Sequence, residues 1–231
     1  MWNNVIPDRS AQQAMKRKAI LRAAAMIFIR QGSHGATLED VADSLGVSKA
    51  ALYRYVLNKN ELVLACQEEA LDIADRALTR GETEGRNALD KIRLGLTVYL
   101  VKMIAELGVP ALILEDNALH GAEAEQTYEK RDAYEMRMRR LIREGMADGS
   151  IVATEPKIAV FMLLGSIHWV SKWYRHEGHW SPEMVAHAIV EIATRALDAR
   201  PAPALTTRQK SRFKYRSQVV CCHIKWDIRA A

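Results

Sequence analysis

The stretch Thr37-Leu-Glu-Asp-Val-Ala-Asp-Ser-Leu-Gly-Val-Ser-Lys-Ala-Ala-Leu-Tyr-Arg-Tyr-Val56 leaves this chain few ways to fold. Leu38, Val41, Ala42, Leu45, Val47 and Leu52 recur at helical spacing, so two short helices share one inward face. Gly46 falls where a tight turn needs a permissive backbone. Ser48 follows as an N-cap, its side-chain oxygen accepting a backbone N–H of the next helix. The pattern over residues 38–57 is that of a helix-turn-helix, in which the first helix holds the second and the second offers its N-terminal residues to base edges of DNA.

The rest of the chain reads as helix as well. A first helix over about 12–31 carries Ile20, Leu21, Ala24, Ile27 and Phe28 as its apolar stripe, and Gly32 ends it. Thr37 caps the second helix, with Asp40 three residues on completing a capping box. The reading helix is expected at about 48–55 and a longer one at 59–79. A polar connector containing Gly81 and Gly85 follows. Further helices are expected at about 86–107, 110–119, 121–147, 155–176 and 181–198, broken at Pro110, Asp148-Gly149, Glu155-Pro156 and Ser181-Pro182. The fold class is therefore all-α with about nine helices. The expected division is a head at 12–80, a body at 81–200 and a flexible basic tail at 201–231, whose composition suits either solvent or DNA phosphate.

Charge follows that division. Residues 1–66 carry a net +4, residues 67–199 a net −6 and residues 200–231 a net +7. A basic small domain joined to an acidic one suits a DNA binder with a separate sensing or pairing part. No apolar run reaches the length of a membrane span and no signal peptide is visible, so the expected location is cytoplasmic, with no membrane partner. Three cysteines do not make a disulfide framework, and neither the histidines nor Cys221-Cys222-His223 have metal-ligand spacing. No nucleophile elbow or phosphate-cradling loop points to an enzyme, and no cofactor is implied.

Residues 17–63 resemble the N-terminal domain of TetR-family transcriptional regulators. The likeness lies in Ile20-Leu21, Ala23-Ala24, Phe28, Gly32, Thr37, Val41-Ala42, Leu45-Gly46-Val47-Ser48, Leu52-Tyr53, Lys59 and Leu62. Ser33 and Val56 depart from it, at positions that concern packing. The resemblance implies an all-helical homodimer that controls genes and answers to a small ligand. Residues 165–178, with Trp169, Trp173 and Arg175, resemble the subgroup that governs fatty-acid and steroid catabolism through acyl-CoA-type ligands.

Roles follow by spacing. Ser48, Lys49 and Ala50 open the reading helix, where guanine O6/N7 and thymine methyl groups come within reach. Tyr53 and Arg54 lie one turn on, and Thr37, Tyr55 and Lys59 suit phosphate. The weaker alternative is that Tyr53 and Tyr55 are partly core and Lys49 is merely solvated. For a ligand, the candidates are Leu96, Tyr99, Met103, Leu107, Met138, Leu141 and Phe161, with Arg175 or the Arg137–Arg143 run for phosphates. The same apolar stripe is also what plain core looks like, and the arginines what a solvated, Glu-paired face looks like. Phe161, Gly165, Trp169, Trp173, Val185, Ile189 and Ile192 are the expected seam of a four-helix dimer interface. A palindromic operator would then match two reading heads. Two alternatives stand beside an acyl-CoA-responsive repressor: a drug-responsive efflux-pump repressor, and a helical scaffold that binds no DNA.

Overall fold

Local rules set most helix ends in the computed structural model, which describes residues 9–109 and 122–199. α1 (Arg9–Gly35) buries Ile20, Leu21, Ala24, Ala25, Ile27 and Phe28. It breaks at Gly32, whose φ of 77° only glycine adopts freely. α2 (Leu38–Ser44) begins in a full capping box: Asp40 N–H donates to Thr37 Oγ1 at 3.1 Å and Thr37 N–H to Asp40 Oδ2 at 2.9 Å. Gly46 turns the chain with φ 64°. α3 (Lys49–Leu52) is capped by Ser48, which accepts the Ala51 N–H at 3.2 Å.

α3 is shorter than the expected eight residues because its last turn tightens. Tyr55 N–H reaches back to Leu52 O at 2.8 Å, and Val56, buried at that point, docks the chain against the core. α4 (Lys59–Glu84) starts at the Asn58 cap and runs through most of the expected connector, ending at the Gly85 cap. Gly81 is a crossing point rather than a break. A Cβ there would run into the Lys91 carbonyl and lie 2.8 Å from the Gly95 nitrogen, so the two glycines let α4 and α5 (Ala88–Leu107) touch backbone to backbone. The connector is only Gly85-Arg86-Asn87, and the expected boundary at 80/81 falls inside α4.

α5 is the centre of the body. Leu89, Ile92, Leu96, Leu100, Met103 and Leu107 are all fully enclosed, in a helix packed against α4, α8, α6 and α1. α6 (Ala122–Asp148) ends at Asp148-Gly149-Ser150, which also caps α5: the Ala88 N–H donates to Asp148 Oδ2 at 3.0 Å and the Leu89 N–H to Ser150 Oγ at 3.3 Å. α7 (Pro156–Trp173) and α8 (Pro182–Arg195) both start with the expected proline in the first turn. The described residues thus hold eight helices and one isolated bridge, Ile151 to Asp198. The helix expected at 110–119 and the tail at 201–231 lie outside the described residues. A single buried cluster runs from Ile20 in α1 to Leu197 after α8, so the reading head and the body share one core.

Candidate DNA-reading surface and ligand cavity

On the head, Ser48, Lys49, Ala50, Tyr53 and Arg54 all project to solvent from the second helix of the motif, and Thr37 is exposed beside them. Leu52 is their buried anchor. The Lys49 ammonium pairs with Glu39 on α2 and lies 5.7 Å from the centre of the Tyr53 ring. Hydrogen bonding to that lysine holds the Glu39 carboxyl below its ordinary value. Both groups are exposed, so the pair is weak and can be exchanged for a DNA contact. Tyr55 is half-buried and packs on the core, the structural alternative for that residue.

Lys59 sits differently from a phosphate ligand. Its Nζ donates to His34 O at 3.3 Å and Ala36 O at 3.2 Å, so the ammonium holds the carbonyls where α1 ends. The head is also tied to the body. Arg22 of α1 donates through Nη1 to Ala105 O at 2.8 Å and Ile104 O at 3.3 Å, among the last carbonyls of α5, and Lys18 pairs with Glu106 at 3.6 Å. Gly108, left-handed at φ 73°, lies against the Arg22 guanidinium, and its carbonyl accepts a 2.6 Å hydrogen bond from His176 Nε2.

The body holds a cavity of about 680 Å³. α4 supplies Gln67, Ala70, Leu71 and Ala74; α5 supplies Tyr99; α6 supplies Tyr128, Arg131, Asp132, Tyr134 and Glu135; α7 supplies Phe161, Leu164, Gly165 and His168. The walls are apolar and aromatic with a few polar groups, the ordinary make-up of a small-molecule site. Burial pushes the Tyr99 and Tyr134 hydroxyls up, so both stay protonated donors. Burial, helped by the charge of Arg131, drives the His168 imidazole down to about 4, so it is neutral near pH 7.

This corrects the sequence-based assignment. Tyr99 and Phe161 line the cavity, but Leu96, Met103, Leu107, Met138 and Leu141 do not: they are enclosed in the protein's own core, where helical periodicity cannot tell core from cavity wall. Arg175 is exposed and donates to the Tyr174 carbonyl at 3.0 Å, away from the cavity. Three of the four arginines of the run are occupied as well. Arg137 bonds Asp75, Thr79 (3.0 Å) and Glu82 (2.6 Å) on α4, Arg140 bonds Glu82 at 3.0 Å, and Arg139 bonds Glu135. Burial opposes ionisation of Glu82, but the two arginines outweigh it and hold the carboxyl below its ordinary value. The missed wall residues were signalled by Gln67, a polar side chain in the apolar stripe of α4, and by Tyr128, Arg131 and Glu135, spaced along one face of α6.

Of the expected dimer seam, Phe161, Gly165, Trp169 and Ile192 are exposed, and Trp173 and Ile189 are half-buried. Val185 is not available to a partner: it is buried in its own chain against Ile104, Val170 and Tyr174. Ile158, Met162 and Met184 are further exposed apolar residues on these two helices. Among the described residues no helix is long and apolar enough to cross a membrane, and no group of three or more His, Cys, Asp and Glu could hold a metal ion.

A helix-turn-helix head sharing a core with an all-helical, cavity-bearing body is the build of a DNA-binding regulator. Residues 20–66 match the family model described as bacterial regulatory proteins, tetR family, and residues 85–197 match the one described as tetracyclin repressor-like, C-terminal domain. The chain belongs to the TetR family and is a transcriptional regulator rather than an enzyme. It is similar to the HTH-type transcriptional repressor KstR2 of Mycolicibacterium smegmatis, 27% identical over 190 residues that cover 80% of this chain and 92% of that protein. The HTH-type transcriptional regulator RutR of Escherichia coli K12 is 43% identical over 65 residues, 28% of this chain and 31% of that one. Among solved structures, the TetR family regulator PfmR of Thermus thermophilus matches with a TM-score of 0.64 at 25% identity, covering 78% of this chain and 98% of that one.

Proposed function

We propose that this regulator is a repressor that binds a palindromic operator as a homodimer and releases it when an apolar ligand enters the body, with fatty-acyl or related CoA thioesters as the ligand class. The observation that carries the reading is the double duty of α4: it forms one wall of the cavity and begins, at the Asn58 cap and Lys59, against the head. A ligand that prefers one tilt of α4 changes the spacing of two reading heads, and a preference of about 1.4 kcal/mol alters DNA affinity about tenfold. The Arg22 link between α1 and the end of α5 gives the body a second hold on the head. Ser48, Lys49, Ala50, Tyr53 and Arg54 read or grip the DNA. The acyl part lies along Tyr99, Leu164 and Phe161, and Arg131 is the guanidinium on the cavity wall that can meet an anionic group.

The relative KstR2 is itself named a repressor, which supports that part of the reading. The test is to titrate acyl-CoAs of increasing chain length into the protein bound to its operator, followed by fluorescence anisotropy. Release by a subset of chain lengths is expected. Release by aromatic or cationic drugs alone would replace this reading with that of an efflux-pump repressor.

A further inference from the structure

Three polar side chains on the cavity wall lack partners. Gln67 and Tyr99 are each 6% exposed and Tyr134 is half-buried. Among the described residues, none of the three side chains meets a hydrogen-bond partner. Yet the one unpartnered side-chain polar atom that is wholly enclosed among those residues is Arg139 Nε, which is not on the wall. The Gln67 amide and the two phenol hydroxyls therefore open into the cavity instead of being locked in packed core. A polar group held from bulk water without a partner destabilises the fold. Leucine at 67 and phenylalanine at 99 and 134 would fill the same space without that penalty.

Charge is placed elsewhere on the wall. Arg131 and Asp132 are exposed, about one turn before Tyr134 on α6. Glu135 is already paired with Arg139. Burial, and then the neighbouring Tyr134, keep the Tyr99 hydroxyl protonated. Burial, and then the charge of Arg131, keep His168 neutral. The cavity thus has a buried, uncharged wall of hydrogen-bond donors and an exposed, charged rim.

We infer that the cavity selects an apolar ligand that carries a keto oxygen at its buried end, where the Tyr99 and Tyr134 hydroxyls donate to it, and a charged group at its other end beside Arg131. This rests on reading the cavity as the ligand site and names the chemistry that site takes. A carbonyl oxygen accepts two hydrogen bonds at once, and the Gln67 amide offers a third donor on the same wall. A plain hydrocarbon end would leave all three groups unpaired, which is how a polar pocket rejects an analogue lacking the polar atom. A carboxylate at that depth would bring a charge where the wall holds no free cation, with Glu135 and its own partner Arg139 already matched. Apolar bulk alone is therefore not what the wall is built to recognise.

The test uses three probes that share a carboxylate at one end and differ at the other: decanoate, 9-oxodecanoate and decanedioate. The octane and dodecane analogues of each cover the depth of the cavity. Each is titrated calorimetrically into the full-length protein and into a variant carrying Tyr99→Phe and Tyr134→Phe, with circular dichroism and urea unfolding for the fold. The native protein should bind the oxo acid at least about tenfold more tightly than the plain acid, and the diacid most weakly. In the variant the oxo and plain acids should bind alike, and the urea midpoint should not fall, since the hydroxyls removed have no partner in the chain. The single variants serve if the double one fails to fold. Equal binding of oxo and plain acids by the native protein overturns the inference and leaves the cavity an apolar-ligand site. An oxo preference that survives in the variant, or a diacid that binds tightest, overturns it as well. A lowered midpoint in the variant would show that the hydroxyls serve the fold, and overturns it too. Saturable binding of none of the probes overturns the inference together with the reading of the cavity on which it rests.

Discussion

The reading head and the body differ in what their exposed residues cost them. On the head, the residues proposed to meet DNA are mostly polar, exposed and weakly paired, so Lys49 can exchange Glu39 for a base or phosphate with little loss. On the body, the surface proposed to answer a ligand is apolar or buried, and Arg137, Arg139 and Arg140, which sequence would offer to an anion, are already paired with Asp75, Glu82 and Glu135. The head can bind by simple exchange of partners. The body can bind only where packing leaves a hole, and the hole is bordered by residues that look like core. Function in the first region is written in side-chain chemistry, and in the second in the absence of side-chain volume.

The largest effect that sharpens this contrast comes from the enclosed residues beside the cavity. Leu96→Ala and Met103→Ala remove volume from the filled core around α5 and should each cost about 2–5 kcal/mol of stability, read by denaturant unfolding. Ligand affinity, measured at a temperature where both variants remain folded, should not change. A selective loss of ligand affinity at unchanged stability would return these two residues to the cavity wall and erase the distinction.

A smaller effect separates two lysines of the head. Lys49→Ala should change sequence preference or cost ~1–3 kcal/mol of operator affinity. Lys59→Ala should weaken binding to every sequence alike, by loosening the end of α1. The slope of log affinity against log salt decides its role. An unchanged slope fits the cap seen here, whereas a slope flatter by about one contact makes Lys59 a phosphate ligand after all.

How much the sequence tells follows the same line. The head is legible because each feature obeys a rule spanning a few residues: Thr37 with Asp40, Gly46 at positive φ, Ser48 on the Ala51 N–H. The misreadings in the body come from long-range packing. Gly81 looks like a loop residue until Gly95, fourteen positions on, is brought against it. Val185 has the periodicity of a seam, but Tyr174 and Ile104 reach it first. Tyr99 and Leu96 lie on one apolar stripe, and only the placement of α4, α6 and α7 decides that the first meets a cavity and the second does not.

The smallest effect tests the cavity itself through pH. Burial, with help from the charge of Arg131, lowers the folded-state value of His168 to about 4 from an ordinary 6.5. The unfolded chain therefore binds more protons than the folded one between those two values. The stability due to a neutral His168 is present above pH 6.5 and is lost as pH falls through the window, by about 1 kcal/mol at pH 5.5. His168→Gln keeps a polar side chain of similar reach without the proton, and so should flatten the stability profile between pH 6.5 and 4. An apolar ligand that dries the cavity further deepens the penalty on the charged form. Its affinity should fall with pH in the native protein and hold steady in the variant. Equal slopes in the two proteins would mean that His168 faces water instead of the cavity, leaving the wall of α7 to Phe161 and Leu164.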